Sequence, residues 1–471
     1  MVLPEVPNLK FMINFKEISG SMKKIFAFLM VGMLAAACTQ KNPVLTVTGG
    51  QIQGVESETP GVLVYKGIPY AAPPVGELRW QVPQPVVAWE GVKVADTFGP
   101  ICPQPGNKPG TFYGDEFYWA GTPQESEDCL YLNVWAPAGT VGKAGAKLPV
   151  AMWVHGGAYM NGYGYEVTMD GEAWAERGVI LVTINYRLGN FGFLSHPLLT
   201  EEQGGRSGNY GMLDQVAALE WIYENIGQFG GDPENITILG QSAGAMSIKN
   251  LVTSPLSKDM VAKAIIQSGG GIGGIMLGGG NETPQSFYDE QGKSIMDANG
   301  WTTLEQMRAA TSAEILGAAA KAGRYVMLSP HADGHFMTED FNSAANAGRI
   351  ADIPYMIGCT SQDMGGLGGN SINTFCEVRS EQSSHPAYQY FFKRNLPGDD
   401  EDPAKDPGAF HSSELWYTFG TLDKSWRPFT EADYALSNEM VDAWTSFCKT
   451  GNPGWDAYTK ANPVIKEFDV K

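Results

Sequence analysis

The chain has 471 residues, of which 43% are hydrophobic and 18% charged, with a formal net charge of -19. This is the composition of a globular protein, with no repeat and no low-complexity tract, and it excludes a disordered chain. Its acidic balance, without a large cluster of lysine and arginine, also excludes a nucleic-acid backbone as partner, because phosphate binding needs a basic surface.

From Met22 the chain reads MKKIFAFLMVGMLAAAC: a basic end, an apolar stretch too short to cross a bilayer, then small residues running into Cys38. This is the layout of an export signal. Cys38 directly after small residues resembles the lipobox of bacterial lipoproteins, with Ala35 in place of the usual leucine. That resemblance implies lipidation at Cys38 and a place in the cell envelope, periplasmic or at the surface; simple cleavage near Ala37 and secretion is the alternative. The anchor is the only membrane attachment expected. Residues 1–21 precede a natural start at Met22, so 1–38 are read as an extension plus signal and 39–471 as a single domain.

Beyond the signal, strand and helix patterns alternate. Pro149 to His155 and Val179 to Ile184 are β-branched runs of the kind buried on both faces of a sheet. Met212, Val216, Leu219, Tyr223 and Ile226 recur at helical spacing and predict a covering helix over 209–225. There follow a strand at Ile236 to Leu239, a turn, a helix from about Ala243, and strands at Ala264 to Gln267 and Pro354 to Gly358. The Gly-rich and aromatic segments at 100–125, 268–281 and 364–373 read as loops over the mouth of a site. A final amphipathic helix, 431–449, stops at Gly451 and Pro453. This alternation predicts an α/β fold with a mostly parallel central sheet flanked by helices, and a site at the carboxyl ends of the strands.

The chemistry-bearing turn is GQSAG, 240–244. One reading is an ordinary strand-to-helix turn in which Ser242 caps the next helix. The other is a nucleophile elbow, which projects a serine hydroxyl into a cleft. An acyl-transfer serine also needs a base, a carboxylate to orient it and amide donors for the oxyanion. WVHGGAY, 153–159, supplies a glycine turn after an earlier strand, where backbone N–H groups can approach a carbonyl oxygen. In chain order the acid and then the histidine should follow the serine. Asp363 lies five residues past Gly358, although a solvated loop acid is the ordinary reading of any single carboxylate. His385 sits in a polar run and reads as an exposed loop residue; His411, in GAFHSSELWYTFG, is the better base.

Cysteines extend the picture. Cys102 and Cys129 bracket a loop rich in Pro, Gly and aromatics and are read as a disulfide; Cys359 and Cys376 could form a second, and Cys448 on the final helix reads as a buried thiol. HADGH, 331–335, spaces two histidines as a metal site would, but Asp-Gly between them indicates a turn, so no metal is expected.

These stretches, with VYKGIPYAAPPVGELRW (64–80), SEDCLYLNVW (126–135), NYRLGNFGFL (185–194) and FGGDPENITILGQSAG (229–244), resemble the type-B carboxylesterases, which include cholinesterases and bacterial para-nitrobenzyl esterases. The resemblance runs from about Val47 to the C-terminus and implies the α/β-hydrolase fold. It implies Ser242 as nucleophile, Asp363 as orienting acid and His411 as general acid/base, with oxyanion donors on the N–H groups of Gly157, Ala158 and Ala243. Ser268 matches a serine that hydrogen-bonds near the acid, Cys102 and Cys129 match a disulfide, and Arg79 and Glu127 match a structural salt bridge.

Three departures matter. Gln241 replaces the usual glutamate before the nucleophile, which disfavours cationic choline esters; Trp119 lies in the loop where cholinesterases carry a choline-stacking aromatic, but the surrounding EFYWAG does not resemble theirs, so it is read as a pocket wall. Asp363 stands where most members have glutamate. HGGA replaces HGGG, so that Ala158 is expected to need a negative φ. The implied activity is two-step hydrolysis of small neutral or mildly polar carboxylic esters without cofactor. The alternatives are an inactive neuroligin-like binding protein and an esterase specialised for phenolic or acylated-sugar esters.

Overall fold

The computed structural model describes residues 42–273, 283–323, 328–363, 369–398 and 407–471. The signal segment with Cys38, most of the 268–281 loop and the first half of the 364–373 loop lie outside the described residues. Among the described residues thirteen strands follow in chain order: β1 (Val44–Val47), β2 (Gly50–Gln53), β3 (Val55–Glu56), β4 (Val62–Pro69), β5 (Val92–Val94), β6 (Tyr131–Pro137), β7 (Leu148–Val154), β8 (Ile180–Ile184), β9 (Gly231–Gln241), β10 (Lys263–Gln267), β11 (Tyr355–Thr360), β12 (Ala387–Phe392) and β13 (Ile465–Phe468). β1, β2 and β5 make a small sheet, and the other ten form one large sheet in the order β13-β12-β11-β10-β9-β7-β8-β6-β4-β3. Pairing is parallel from β13 through to β8 and antiparallel from β8 to β3.

The central strands are apolar throughout because both faces are covered. In β7, Val150, Met152 and Val154 pack into the core on one face, while Ala151 and Trp153 enter the core on the other. The same alternation sends Ile238 and Ile266 one way and Leu239 and Ile265 the other, as the two-residue period of a strand requires. Residues 43–471 form one compact unit.

Sequence patterns place the inner parallel strands within a residue or two, apart from β9, which begins five residues earlier than its apolar run. The outer strands β4, β6, β12 and β13 were not marked by any such run. Helix α1 (Phe112–Phe117) lies in a stretch read as loop, and α4 (Gly369–Gln382) begins inside another. Helix α2 (Tyr210–Asn225) buries Met212, Val216 and Leu219 as the spacing predicts, but Tyr223 points outward and its hydroxyl donates to Glu234. Helix α3 (Ala243–Leu251) follows the GQSAG turn, and α5 (Glu431–Thr450) ends at Gly451 with φ 76°.

Register carries the functional consequence. Val154 pairs with Gly240, Gln241 with Gln267, and Gln267 with Gly358, so β7, β9, β10 and β11 all end along one edge of the sheet. The residues that follow them emerge side by side. At the centre α3 crosses β7 so closely that a Cβ on Gly244 would stand 2.1 Å from the Val154 carbonyl oxygen. Substituting Gly244→Ala should therefore destabilise the fold by roughly 1–3 kcal/mol or more, through overpacking against a backbone that cannot swing aside. The check is the thermal-unfolding midpoint of the variant beside wild type.

Candidate active site

Ser242 occupies the turn between β9 and α3 with φ 59° and ψ -125°. A non-glycine residue in this region is strained, and the strain is held by the packing of α3 on the strand ends. Ser242 stands at the N-cap position of α3, but its side chain makes no capping hydrogen bond. It lines a cavity together with Gly156, Gly157, Ala158, Gln241 and His411.

His411 reaches this cavity from a loop that the sheet positions. Gln362, just past β11, bridges to Phe410, and its N–H donates to the Ala409 carbonyl, so Asp363 and His411 are brought together. His411 Nδ1 lies 2.5 Å from Asp363 Oδ1, which fixes the proton on Nδ1 and leaves the Nε2 lone pair facing away from the acid. The Gln241 side-chain amide stands 3.2 Å from that Nε2. Burial alone would push the His411 pKa down, but the hydrogen bond and charge of Asp363, with the charge of Glu414, raise it above the ordinary 6.5.

The glycine turn after β7 forms the facing wall. A Cβ on Gly157 would stand 2.0 Å from the Asn161 carbonyl oxygen, so this position admits only glycine. Ala158 follows with φ 54°. The expectation that alanine would force a negative φ is wrong: the turn holds the left-handed conformation and the methyl is accommodated there. None of the N–H groups of Gly157, Ala158 and Ala243 donates to another described residue. His155, at the start of the turn, is fully buried and stacked on Tyr186 at 4.4 Å, and burial holds its pKa down at about 4. It is a neutral scaffold ring.

Several sequence-predicted residues find other places. Ser268 donates to Glu414 Oε1 at 3.3 Å, and Glu414 is a residue that sequence reasoning missed. The signal was present, because Glu414 sits three residues after His411. Burial, then the Asp363 charge, pushes its carboxyl up to about 7. Trp119 is 53% exposed and is not part of the cavity lining; Tyr113, Phe117 and Tyr118 form the aromatic wall instead. His385 is an exposed loop residue. Arg79 makes a two-pronged bond to Glu127 at 2.6 and 2.7 Å and also donates to the carbonyls of Met307, Arg308 and Ala310, so it is scaffold. Cys102 and Cys129 are buried neighbours but stand as free thiols, as do Cys359, Cys376 and Cys448.

A second buried network joins Ser195, Ser207, Thr200 and Gln285 around Asp289, with His331 reaching Gln285 at 3.2 Å. There Ser195 donates to the carboxylate itself, and no histidine takes its proton, so the cluster ties the loop residues Ser195 and Ser207 to the helices that carry Thr200, Gln285 and Asp289. Asp333 in HADGH accepts from the N–H groups of His335 and Met337, making the turn that its sequence indicates. Among the described residues no group of His, Cys, Asp and Glu could hold a metal ion.

The family model described as "Carboxylesterase family" matches residues 41–375 and 369–469. The chain belongs to that family. This carboxylesterase is 34% identical to the para-nitrobenzyl esterase of Bacillus subtilis (strain 168), over 88% of this chain and 92% of that one. It is 47% identical to the fumonisin B1 esterase of Sphingopyxis macrogoltabida, over 47% of this chain and 38% of that one. A solved structure described as a thermophilic PNB esterase superposes with a TM-score of 0.77 at 30% identity, covering 91% of this chain and 97% of that one. The carboxylesterase is thus an α/β-hydrolase and a carboxylic ester hydrolase.

The upward push on the His411 pKa bears on the pH dependence of such an enzyme. A base works only when unprotonated, so with His411 in that role the acid limb of kcat/KM should lie above the ordinary imidazole value. Gln241→Glu would place a negative charge beside His411, stabilise the imidazolium and move that limb to still higher pH. A pH profile of both proteins on one neutral ester checks the direction.

Proposed function

We propose that Ser242 is the nucleophile of this carboxylesterase, with His411 as general acid/base and Asp363 as the carboxylate that orients it. The observation that carries the reading is the His411–Asp363 hydrogen bond at the rim of the cavity where the strained Ser242 turn projects. Ser242 Oγ attacks the ester carbonyl as His411 Nε2 takes its proton. The carbonyl oxygen becomes an oxyanion received by the N–H groups of Gly157, Ala158 and Ala243. His411 then protonates the departing alcohol, and water repeats the sequence on the acyl-enzyme. Gln241 and Ser268 support the ring and the acid side of the site. No step calls for a cofactor.

The supporting chemistry extends to the rest of the chain. Residues 22–38 read as an export signal, and we place the mature protein in the cell envelope with Cys38 as its lipidated first residue. In that oxidising setting the adjacent Cys102 and Cys129 would close a disulfide.

Ser242→Ala should abolish hydrolysis of para-nitrophenyl esters and labelling by a fluorophosphonate, and Asp363→Asn should lower kcat by about 10⁴. Retained turnover in Ser242→Ala would move the reaction elsewhere. Alkylation of the exported, denatured protein followed by intact-mass measurement should show Cys102 and Cys129 unmodified until a reductant is added.

A further inference from the structure

The cavity holds a second carboxylate that the proposed mechanism does not use. Glu166 is 8% exposed and lines the same cavity as Ser242. One of its oxygens is fully engaged: Oε1 accepts from the Tyr118 hydroxyl at 2.7 Å and from the Tyr163 N–H at 3.2 Å. Oε2 takes no hydrogen bond from any described residue, and no lysine or arginine among them pairs with the group. Glu414, behind His411, is likewise buried without a lysine or arginine, but two other deeply buried carboxylates are neutralised. Asp214 is paired with Arg187, and Glu116 with Arg427. Burying a charge without a counter-ion is costly, so a carboxylate left half-satisfied at a cavity wall is poised for a donor that arrives with the ligand.

We infer that Glu166 reads the substrate: its Oε2 accepts a hydrogen bond from an O–H or N–H donor on the ester, selecting donor-bearing esters over plain alkyl ones. The inference rests on Ser242 being the reacting residue of this cavity. Gln241 removes a negative charge from the cavity floor, and Glu166 supplies one on the wall, where its partners Tyr118 and Tyr163 fix its direction. Burial lifts the carboxyl to about 7, so a donor that meets the ionised form offsets a cost the empty site carries.

The test is a comparison of kcat/KM at pH 8, where Glu166 is mostly ionised, on two matched pairs: methyl butanoate against methyl 3-hydroxybutanoate, and butyl acetate against 4-hydroxybutyl acetate. The two pairs place the donor on the acyl and the alcohol side. Wild type should prefer the hydroxylated ester in at least one pair by about ten-fold, the scale of a hydrogen bond to a charged group. Glu166→Gln keeps an oxygen for Tyr118 and Tyr163 but puts N–H in place of Oε2, and should erase or invert that preference. Glu166→Leu, which removes both oxygens, should bring the ratio near one. A wild-type ratio near one in both pairs, or a preference that both variants retain, overturns the inference while leaving the esterase reading intact. If wild type turns over none of the four esters and takes no fluorophosphonate at Ser242, the esterase reading falls and this inference falls with it.

Discussion

The site depends on how closely α3 lies on the end of β7. A helix that follows a strand can present the turn between them at the sheet edge only if its first turn sinks onto the neighbouring strand, and here that contact leaves no room for a Cβ at Gly244. Gly240 is equally crowded, with a Cβ there falling 2.6 Å from the Gly244 carbonyl carbon. Between these two glycines the backbone has one way to turn, and Ser242 takes up the positive φ that results. The strain is local; the packing that enforces it belongs to the whole sheet.

Register then distributes the other groups. The glycine turn after β7, the elbow after β9, Ser268 after β10 and the acid loop after β11 leave the sheet at one level because the parallel strands end in step. Each element is ordinary by itself. Their convergence is a property of parallel pairing, which brings the carboxyl ends of neighbouring strands to one edge.

This explains what could be read from the sequence. The inner strands and the elbow were legible because burial on both faces leaves an uninterrupted apolar run, and because glycine at a contact that excludes Cβ cannot be replaced. The outer strands were not: β12, AYQYFF, mixes polar and aromatic residues, and β13 is a short IKEF with one buried side chain. Chain order and spacing pointed to Asp363 and His411, which the structure brings within hydrogen-bond distance of each other. Glu414 was present in a stretch already recognised but drew no notice, since its role depends on burial against Ser268. Glu166, alone in a tyrosine-rich turn, has no sequence signature at all. The positive φ of Ala158 was misjudged because propensity favours the opposite sign, and tertiary packing of the turn prevailed.

The proposed serine, acid and histidine come from positions 242, 363 and 411, on segments that meet only when the sheet is closed out to β11 and the loop after β12 has docked through Gln362 and Phe410. A chain folded only as far as the elbow carries a serine without its base. On the proposed assignment hydrolysis is a readout of topological completeness: damage or misfolding confined to the last quarter of the chain would silence chemistry located near its midpoint.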